Sequence, residues 1–433
     1  MKRFLRFILA AAVLLAAASA SAKDRNDVLK VYNWSSYIGE NVIEDFRQWY
    51  KEQTGKEIEV IYQLFDVNEA MLSKIEKGHE DYDVVCPSDY IIERMLNNDL
   101  LLPLDFKALE ETGTPNYINN VSPYIKGMFS RICDNKDAND YSVAYMWGTT
   151  GIIYNTAYVT REEASTWNVV RNPKFAGKIL IKDSPRDVFS SVLIYLKQDE
   201  LKSGKTTVEE LMFDSSDESL KEVEDFLLEM KPLVCGFEAD LGKEQMTKNL
   251  AWVSLNWSGD AVWAIEEAAA VGVELDYVVP EEGANVWFDG WVIPKYARNV
   301  SAATYFINFM CRPDIAIRNM DETGYVAANG AWEVLESQID ESLEPIDLSY
   351  FFGPEADSVC VDPILYPDIK VIERCAIEHD WGQDTEKLLS MWQNVKGSRA
   401  DMSTIVIIVA CLLAIMLAVI SGFRKKTRRH RRK

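Results

Sequence analysis

Strand-like and helix-like segments alternate through the first hundred residues, and that order constrains the fold more than any other feature. Residues 29–32 (LKVY) read as a buried strand that runs into a loop at 33–39. Residues 42–50 (VIEDFRQWY) have helical spacing, with Ile43, Phe46 and Tyr50 on one face, and Thr54 and Gly55 stop the helix. A second strand at 58–62, a second helix at 68–77 and a third strand at 82–86, closed by Pro87, follow. This βαβαβ order predicts an α/β layer with a mainly parallel sheet. Ligands of such sheets sit beyond the carboxyl ends of the strands. The loops after Tyr32 and Cys86 lie at those ends.

The same grammar recurs later. Residues 178–181 (KILI) run into Asp183, Ser184, Pro185 and Arg186, then a helix at 188–196. Residues 252–256 (WVSLN) run into Trp257, Ser258, Gly259 and Asp260, then a helix at 261–270. The segment between the chain ends spans about 380 residues, which suits two domains rather than one small core. Two α/β lobes whose loops face each other would enclose a cleft. Asp183 and Asp260 also read as helix N-caps, and Trp49, Trp263 and Trp332 as packing residues.

The ends read as membrane signals. Lys2, Arg3 and Arg6, an apolar run at 7–17 and the small residues Ala20, Ser21 and Ala22 have the order of a secretory signal peptide over 1–22. Residues 403–423 carry no charge and are long enough to cross the hydrocarbon core as a helix. The tail 424–433 holds eight Lys and Arg residues, a cluster that marks the cytoplasmic side. The expectation is a single-pass protein of the cell membrane, its ectodomain on the periplasmic or extracellular face and its C-terminus inside.

These ends mask the charge of the middle. The chain has 46 Lys and Arg against 68 Asp and Glu. Three basic residues lie in 1–22 and eight in 424–433, and neither segment has an acid, so 23–401 carries 35 basic against 68 acidic residues, a net of −33. That field repels nucleic acid and attracts cations. Six of the seven cysteines lie outside the span, an even number that permits disulfides without requiring them. With only His79, His379 and His430, and no CxxC spacing, neither a metal site nor a cofactor is expected.

Aromatic and acidic residues pair at several predicted strand ends: Trp34, Ser35 and Tyr37; Ser88, Asp89 and Tyr90; Asp183 and Asp187; Trp257 and Asp260; Trp287, Phe288 and Asp289. Aromatic faces attract alkylammonium groups and cover methylenes, and carboxylates hold ammonium ends through charge-assisted hydrogen bonds. A flexible dication with an aliphatic middle fits that combination.

The segments YNWSSYIGENVIEDF, DYDVVCPSDYIIERM, YSVAYMWGTTGIIYN, KDSPRDVFSSVLIYL, WVSLNWSGDAVWA, VWFDGWVIP and INFMCRPDIA carry a family likeness. Over about residues 29–400 the chain resembles the bacterial spermidine- and putrescine-binding proteins of ABC importers. The resemblance implies a two-lobed periplasmic-binding-protein fold with two crossovers and an inter-lobe cleft. Lobe one is expected at 29–147 plus 290–330, and lobe two at 148–289 plus 331–398. One crossover falls near residues 148–151 (GTTG), the other near Asp289. The implied ligand-binding residues are Trp34, Ser35, Tyr37, Ser88, Tyr90, Asp187, Trp257, Asp260, Trp287, Asp289 and Tyr325. The implied partners are putrescine or spermidine and an ABC permease, with a monomeric ectodomain. Ser184 stands where the spermidine branch has an Asp, and Glu378 stands near a late polar ligand position.

Two other classes share part of this pattern. Paired carboxylates with aromatic walls also describe glycosidases, but no residue pair here has a nucleophile–base motif, so a binding protein rather than an enzyme is expected. A sensor ectodomain would need a cytoplasmic domain, and the ten-residue tail is too short to fold into one.

Overall fold

The computed structural model describes residues 24–238 and 242–397. The expected leader at 1–22, the span at 403–423 and the tail at 424–433 lie outside the described residues. Among the described residues no helix is long and apolar enough to cross a membrane.

The first three strands are β1 (Val28–Trp34), β2 (Glu59–Phe65) and β3 (Val84–Val85), and β1 pairs in parallel with both neighbours. Between the first two lies the helix Val42–Thr54, which buries Val42, Phe46, Trp49 and Tyr50 at a 4-3-1 spacing. That is the stripe of an amphipathic helix. Of the expected face, Phe46 and Tyr50 are buried and Ile43 is only half-buried; the stripe starts one residue earlier, at Val42, and includes Trp49. Gly55, at φ 71°, ends the helix in the left-handed conformation, and its N–H donates to the Lys51 carbonyl.

Two long strands then cross the molecule. β4 (Ser142–Asn155) is buried at all fourteen positions. After it come β5 (Ile179–Lys182), β6 (Val234–Glu238), β7 (Val253–Trp257), β8 (Leu275–Val278) and the second long strand, β9 (Ala284–Val292). β4 pairs antiparallel with β9 over its first half and with β7 and β8 over its second half. The order β2-β1-β3-β9-β4-β7-β5-β6 thus carries two parallel sets, β2-β1-β3 and β6-β5-β7, joined through the long antiparallel pair.

Two apolar cores flank that pair. The first gathers Phe46, Ile92, Trp147, Phe288, Trp291 and Phe306; the second gathers Ile153, Trp167, Phe189, Leu193, Phe226 and Leu255. Each such aliphatic or aromatic side chain, fully buried, contributes about 1.5–3 kcal/mol. Residues 331–398 were expected in lobe two, but Val334, Leu335, Phe351 and Tyr366 pack into the first core. Ala376, Leu388, Met391, Trp392 and Val395 join the second, with Trp381 packed against it. The reason is local: Phe351 packs on Trp147 at 5.3 Å, and Ser122 Oγ donates to the Phe351 carbonyl at 2.6 Å. Trp332, expected in packing, is 40% exposed, with its Nε1 donating to Glu336. The six cysteines among the described residues are all free.

Candidate functional site

Three elements from different parts of the chain converge beside the middle of the β4–β9 pair. The first is the end of β1. Trp34 is the last residue of that strand rather than part of a loop, and its ring packs against Phe65 at 4.5 Å. Ser35 donates its backbone N–H to the Phe65 carbonyl at 3.3 Å. Tyr37 turns inward and is buried between Tyr145 and Tyr325, edge-on to both.

The second is the start of the helix Asp89–Asn97, directly after β3. Ser88 Oγ donates to Asp289 Oδ1 at 2.6 Å. Asn68 Nδ2 bridges Ser88 Oγ and Tyr90 Oη at 3.0 and 3.1 Å, and Tyr90 Oη donates to Glu69.

The third is β9 itself. Trp287 and Asp289 were expected at a strand end and instead lie inside this buried strand. Strand side chains alternate between faces, so Asn285, Trp287 and Asp289 share one face. The Asp289 carboxylate is 6% exposed and accepts from Tyr37 Oη at 2.7 Å as well as from Ser88. Burial pushes its pKa up to about 6, although the two hydroxyl donors pull it back down.

Asp187 approaches from the other lobe. It lies in the first turn of the helix Pro185–Leu196, which begins three residues earlier than the sequence pattern predicts because Pro185 supplies a helical φ at its start. Its Oδ1 accepts from Thr150 Oγ1 at 2.9 Å and Asn285 Nδ2 at 3.0 Å, and its Oδ2 accepts from Ser184 Oγ. Neither Asp187 nor Asp289 has a Lys, Arg or His within ion-pair distance among the described residues.

Trp287 stands between Asn285 and Asp289 on that face of β9. Trp287 packs on Tyr325 at 5.6 Å and on Trp257 at 6.4 Å. The indole N–H groups of Trp34 and Trp287 are buried without a protein partner, as is the Asn285 carbonyl oxygen.

Asp260 behaves differently from expectation. It was read as a possible N-cap and as an acid for a ligand amine. The helix Ser258–Ala269 instead takes Trp257 as its N-cap, without a side-chain cap bond. Asp260 is buried in the first turn, with Lys182 Nζ at 2.5 Å from one oxygen and Lys243 Nζ at 3.0 Å from the other. Its charge is therefore already answered within the chain. Asp183, the other expected N-cap, instead accepts from Trp392 Nε1 at 2.9 Å; the N-cap position belongs to Ser184.

Two acids left out of the expected set belong to the same cluster. Asp89 is buried and accepts from the backbone N–H groups of Tyr90 and Phe288. Burial, followed by the charge of Asp289, raises its pKa well above the ordinary value. Glu378 is buried against Ser190 Oγ, and burial and the charge of Asp187 raise it likewise, against the opposing pull of Arg186. Arg186 spans the two lobes, with its guanidinium 4.6 Å from the Tyr90 ring and 4.8 Å from the Trp381 ring. The sequence signal for Asp89 was its place between Ser88 and Tyr90. Glu378 has no comparable local pattern, and only the family resemblance places it near a late polar ligand position. Among the described residues no group of His, Cys, Asp and Glu is arranged to hold a metal ion.

Comparison with known proteins gives a consistent set of matches. The family described as "Bacterial extracellular solute-binding protein" matches residues 82–345. The spermidine/putrescine-binding periplasmic protein of Escherichia coli K12 is 30% identical over 404 residues, covering 92% of this chain and all of the relative. The putrescine-binding periplasmic protein PotF of the same organism is 28% identical, over 76% of this chain and 85% of its own. A solved structure from Listeria monocytogenes shares 31% identity at a TM-score of 0.69, covering 86% of this chain and 100% of its own. That of the spermidine/putrescine ABC transporter substrate-binding protein PotD from Streptococcus pneumoniae shares 28% at a TM-score of 0.62, covering 86% and 98%. These matches show the two-lobed α/β fold of periplasmic binding proteins.

Proposed function

Since the chain belongs to the bacterial extracellular solute-binding protein family, we propose that its cleft captures putrescine or spermidine outside the cytoplasm and delivers it to the permease of an ABC importer. It is a binding protein, not an enzyme. Relatives that match over 92% of this chain and the whole of their own length are named for spermidine/putrescine and for putrescine.

The observation that carries the reading is a pair of buried acids, Asp289 and Asp187, with no Lys, Arg or His within ion-pair distance among the described residues, beside the Trp287–Tyr325 ring pair. A dication in a partly desolvated cleft needs a carboxylate for each ammonium. Asp289 would hold one, supported by Tyr37 and Ser88, and Asp187 the other. Trp34, Trp287 and Tyr325 would cover the methylenes, with one face of Trp257 beside them. Tyr90 and Ser35 would line the rim. The finer topology belongs to the same reading: a cleaved leader at 1–22, a single span at 403–423 and a cytoplasmic tail at 424–433. Calorimetric titration with putrescine, spermidine and spermine tests the assignment. Saturable 1:1 binding of at least one is expected, and no binding of any of them would sink it.

A further inference from the structure

Lys182 closes β5, one strand away from the end of β7 where Trp257 stands. Its side chain is 2% exposed. Its Nζ is 2.5 Å from Asp260 Oδ2 and 3.9 Å from the centroid of the Trp257 ring. A carboxylate on one side and an indole face on the other is the environment that a captured alkylammonium requires. Here the chain fills that environment with an ammonium of its own.

Lys243, 3.0 Å from Asp260 Oδ1, completes the neutralisation. Burial alone would raise the Asp260 carboxyl, but the two ammonium groups outweigh it and hold the pKa below the ordinary value. Asp289 and Asp187 differ in kind, since hydroxyl and amide groups bond them and no cation among the described residues answers their charge. The cleft therefore has an acid–aromatic corner that is taken and two acids that are not.

We propose that Lys182 is a specificity-determining residue: its ammonium is the resident occupant of the Asp260–Trp257 corner, so the cleft seats a diamine across Asp289 and Asp187 and offers no berth to a third amine. This rests on the reading of the cleft as a polyamine site. A buried lysine that only stabilised Asp260 would leave ligand length irrelevant.

The test is calorimetric titration of the purified full-length chain in detergent with putrescine and with spermidine. Wild type is expected to bind spermidine no more tightly than putrescine. Lys182→Met keeps the aliphatic stem, removes the ammonium and leaves Lys243 on Asp260. It is expected to shift the affinity ratio toward spermidine by about tenfold, the value of one well-placed charged hydrogen bond. Adding Asp260→Asn to Lys182→Met is expected to return the ratio to that of wild type. An unchanged ratio in Lys182→Met that still binds putrescine overturns the proposal and spares the polyamine reading. A tenfold preference of wild type for spermidine overturns it too, and needs no variant to fold. Failure of wild type to bind either amine removes both.

Discussion

Tyr37 and Asp289 lie 252 residues apart in the chain and share a 2.7 Å hydrogen bond, the phenol donating to Oδ2. Ser88 holds the other oxygen at 2.6 Å. The carboxylate is thereby fixed in direction, with lone pairs left over for a further donor. Asp289→Asn keeps the shape and removes the charge. A hydrogen bond to a charged group contributes about 1.5–3 kcal/mol, so polyamine affinity should fall by about tenfold or more. Asp217→Asn is the control: that side chain is 87% exposed and paired with Lys387, and such pairs contribute little. Titration calorimetry of both variants decides. Equal losses would mean that bulk acidity, rather than a built site, attracts the amine.

The pH dependence follows from the same carboxyl. Its folded-state pKa is raised from 3.8 to about 6, first by burial. A raised carboxyl favours the folded state below 3.8, and that contribution is lost as pH rises through about 6. A bound ammonium reverses the cost by favouring the ionised form. Affinity is therefore expected to climb from pH 5 to pH 7, with proton release on binding near pH 6. Asp89 and Glu378, also raised by burial, act in the same direction. Calorimetry in buffers of different ionisation enthalpy reads the released proton, and an affinity that is flat from pH 5 to pH 8 contradicts the argument.

The parts of this site that the sequence revealed are those with a local signature. A strand end followed by a polar loop marked Trp34, Ser88 and Asp187. The alternation of Asn285, Trp287 and Asp289 fits one strand face once β9 is known to be a strand. What stayed hidden depends on contacts between distant segments. Asp89 has a local signal between Ser88 and Tyr90, but its bond to the N–H of Phe288, 199 residues away, does not show in that signal. Lys182 carries no local signal, and the pairing of β5 with β7 brings it over Trp257. The lobe boundary failed for the same reason, because Phe351 reaches back to Trp147.

Gly259 shows how tightly the aromatic wall is set. A Cβ there would stand 2.3 Å from Cγ and Cδ1 of Tyr325, and this ring packs edge-on to Tyr37 at 5.2 Å and against Trp287 at 5.6 Å. Gly259→Ala must push the ring aside, at a cost of about 1–3 kcal/mol. Thermal melts should show a lowered Tm, and titration a weakened ligand. Gly127→Ala, where a Cβ meets nothing within 4 Å, serves as the comparison. It should hold or raise Tm, since Ala outranks Gly inside a helix. Equal Tm for both variants would mean that the Tyr325 ring is free to move.

Membrane attachment is expected to reside in residues 403–423. That apolar length suffices to cross a bilayer, and the basic tail favours the cytoplasmic side. Truncation before Asp401 should release a folded protein that still binds polyamine, as checked by fractionation and calorimetry. A truncated chain that sediments with membranes would place the anchor elsewhere.

The last prediction concerns closure of the lobes. Glu93, on the helix Asp89–Asn97, accepts from the Asp380 N–H at 2.8 Å and lies 3.2 Å from His379 Nδ1. His379 stacks on Phe213 at 3.7 Å, and Trp381 Nε1 donates to the Met212 carbonyl, so this segment is fixed to the second lobe. Glu93 therefore ties one lobe to the other beside the contact between Arg186 and Tyr90. An interaction present only when the lobes are closed adds to the barrier for ligand escape and not to the folding of either lobe. Glu93→Ala should raise the polyamine release rate by about tenfold, the equivalent of one charged hydrogen bond, while the Tm of the ligand-free protein changes little. Stopped-flow release and thermal melts separate the two effects. A lowered Tm with an unchanged release rate would mean that Glu93 supports the fold of one lobe and takes no part in closure.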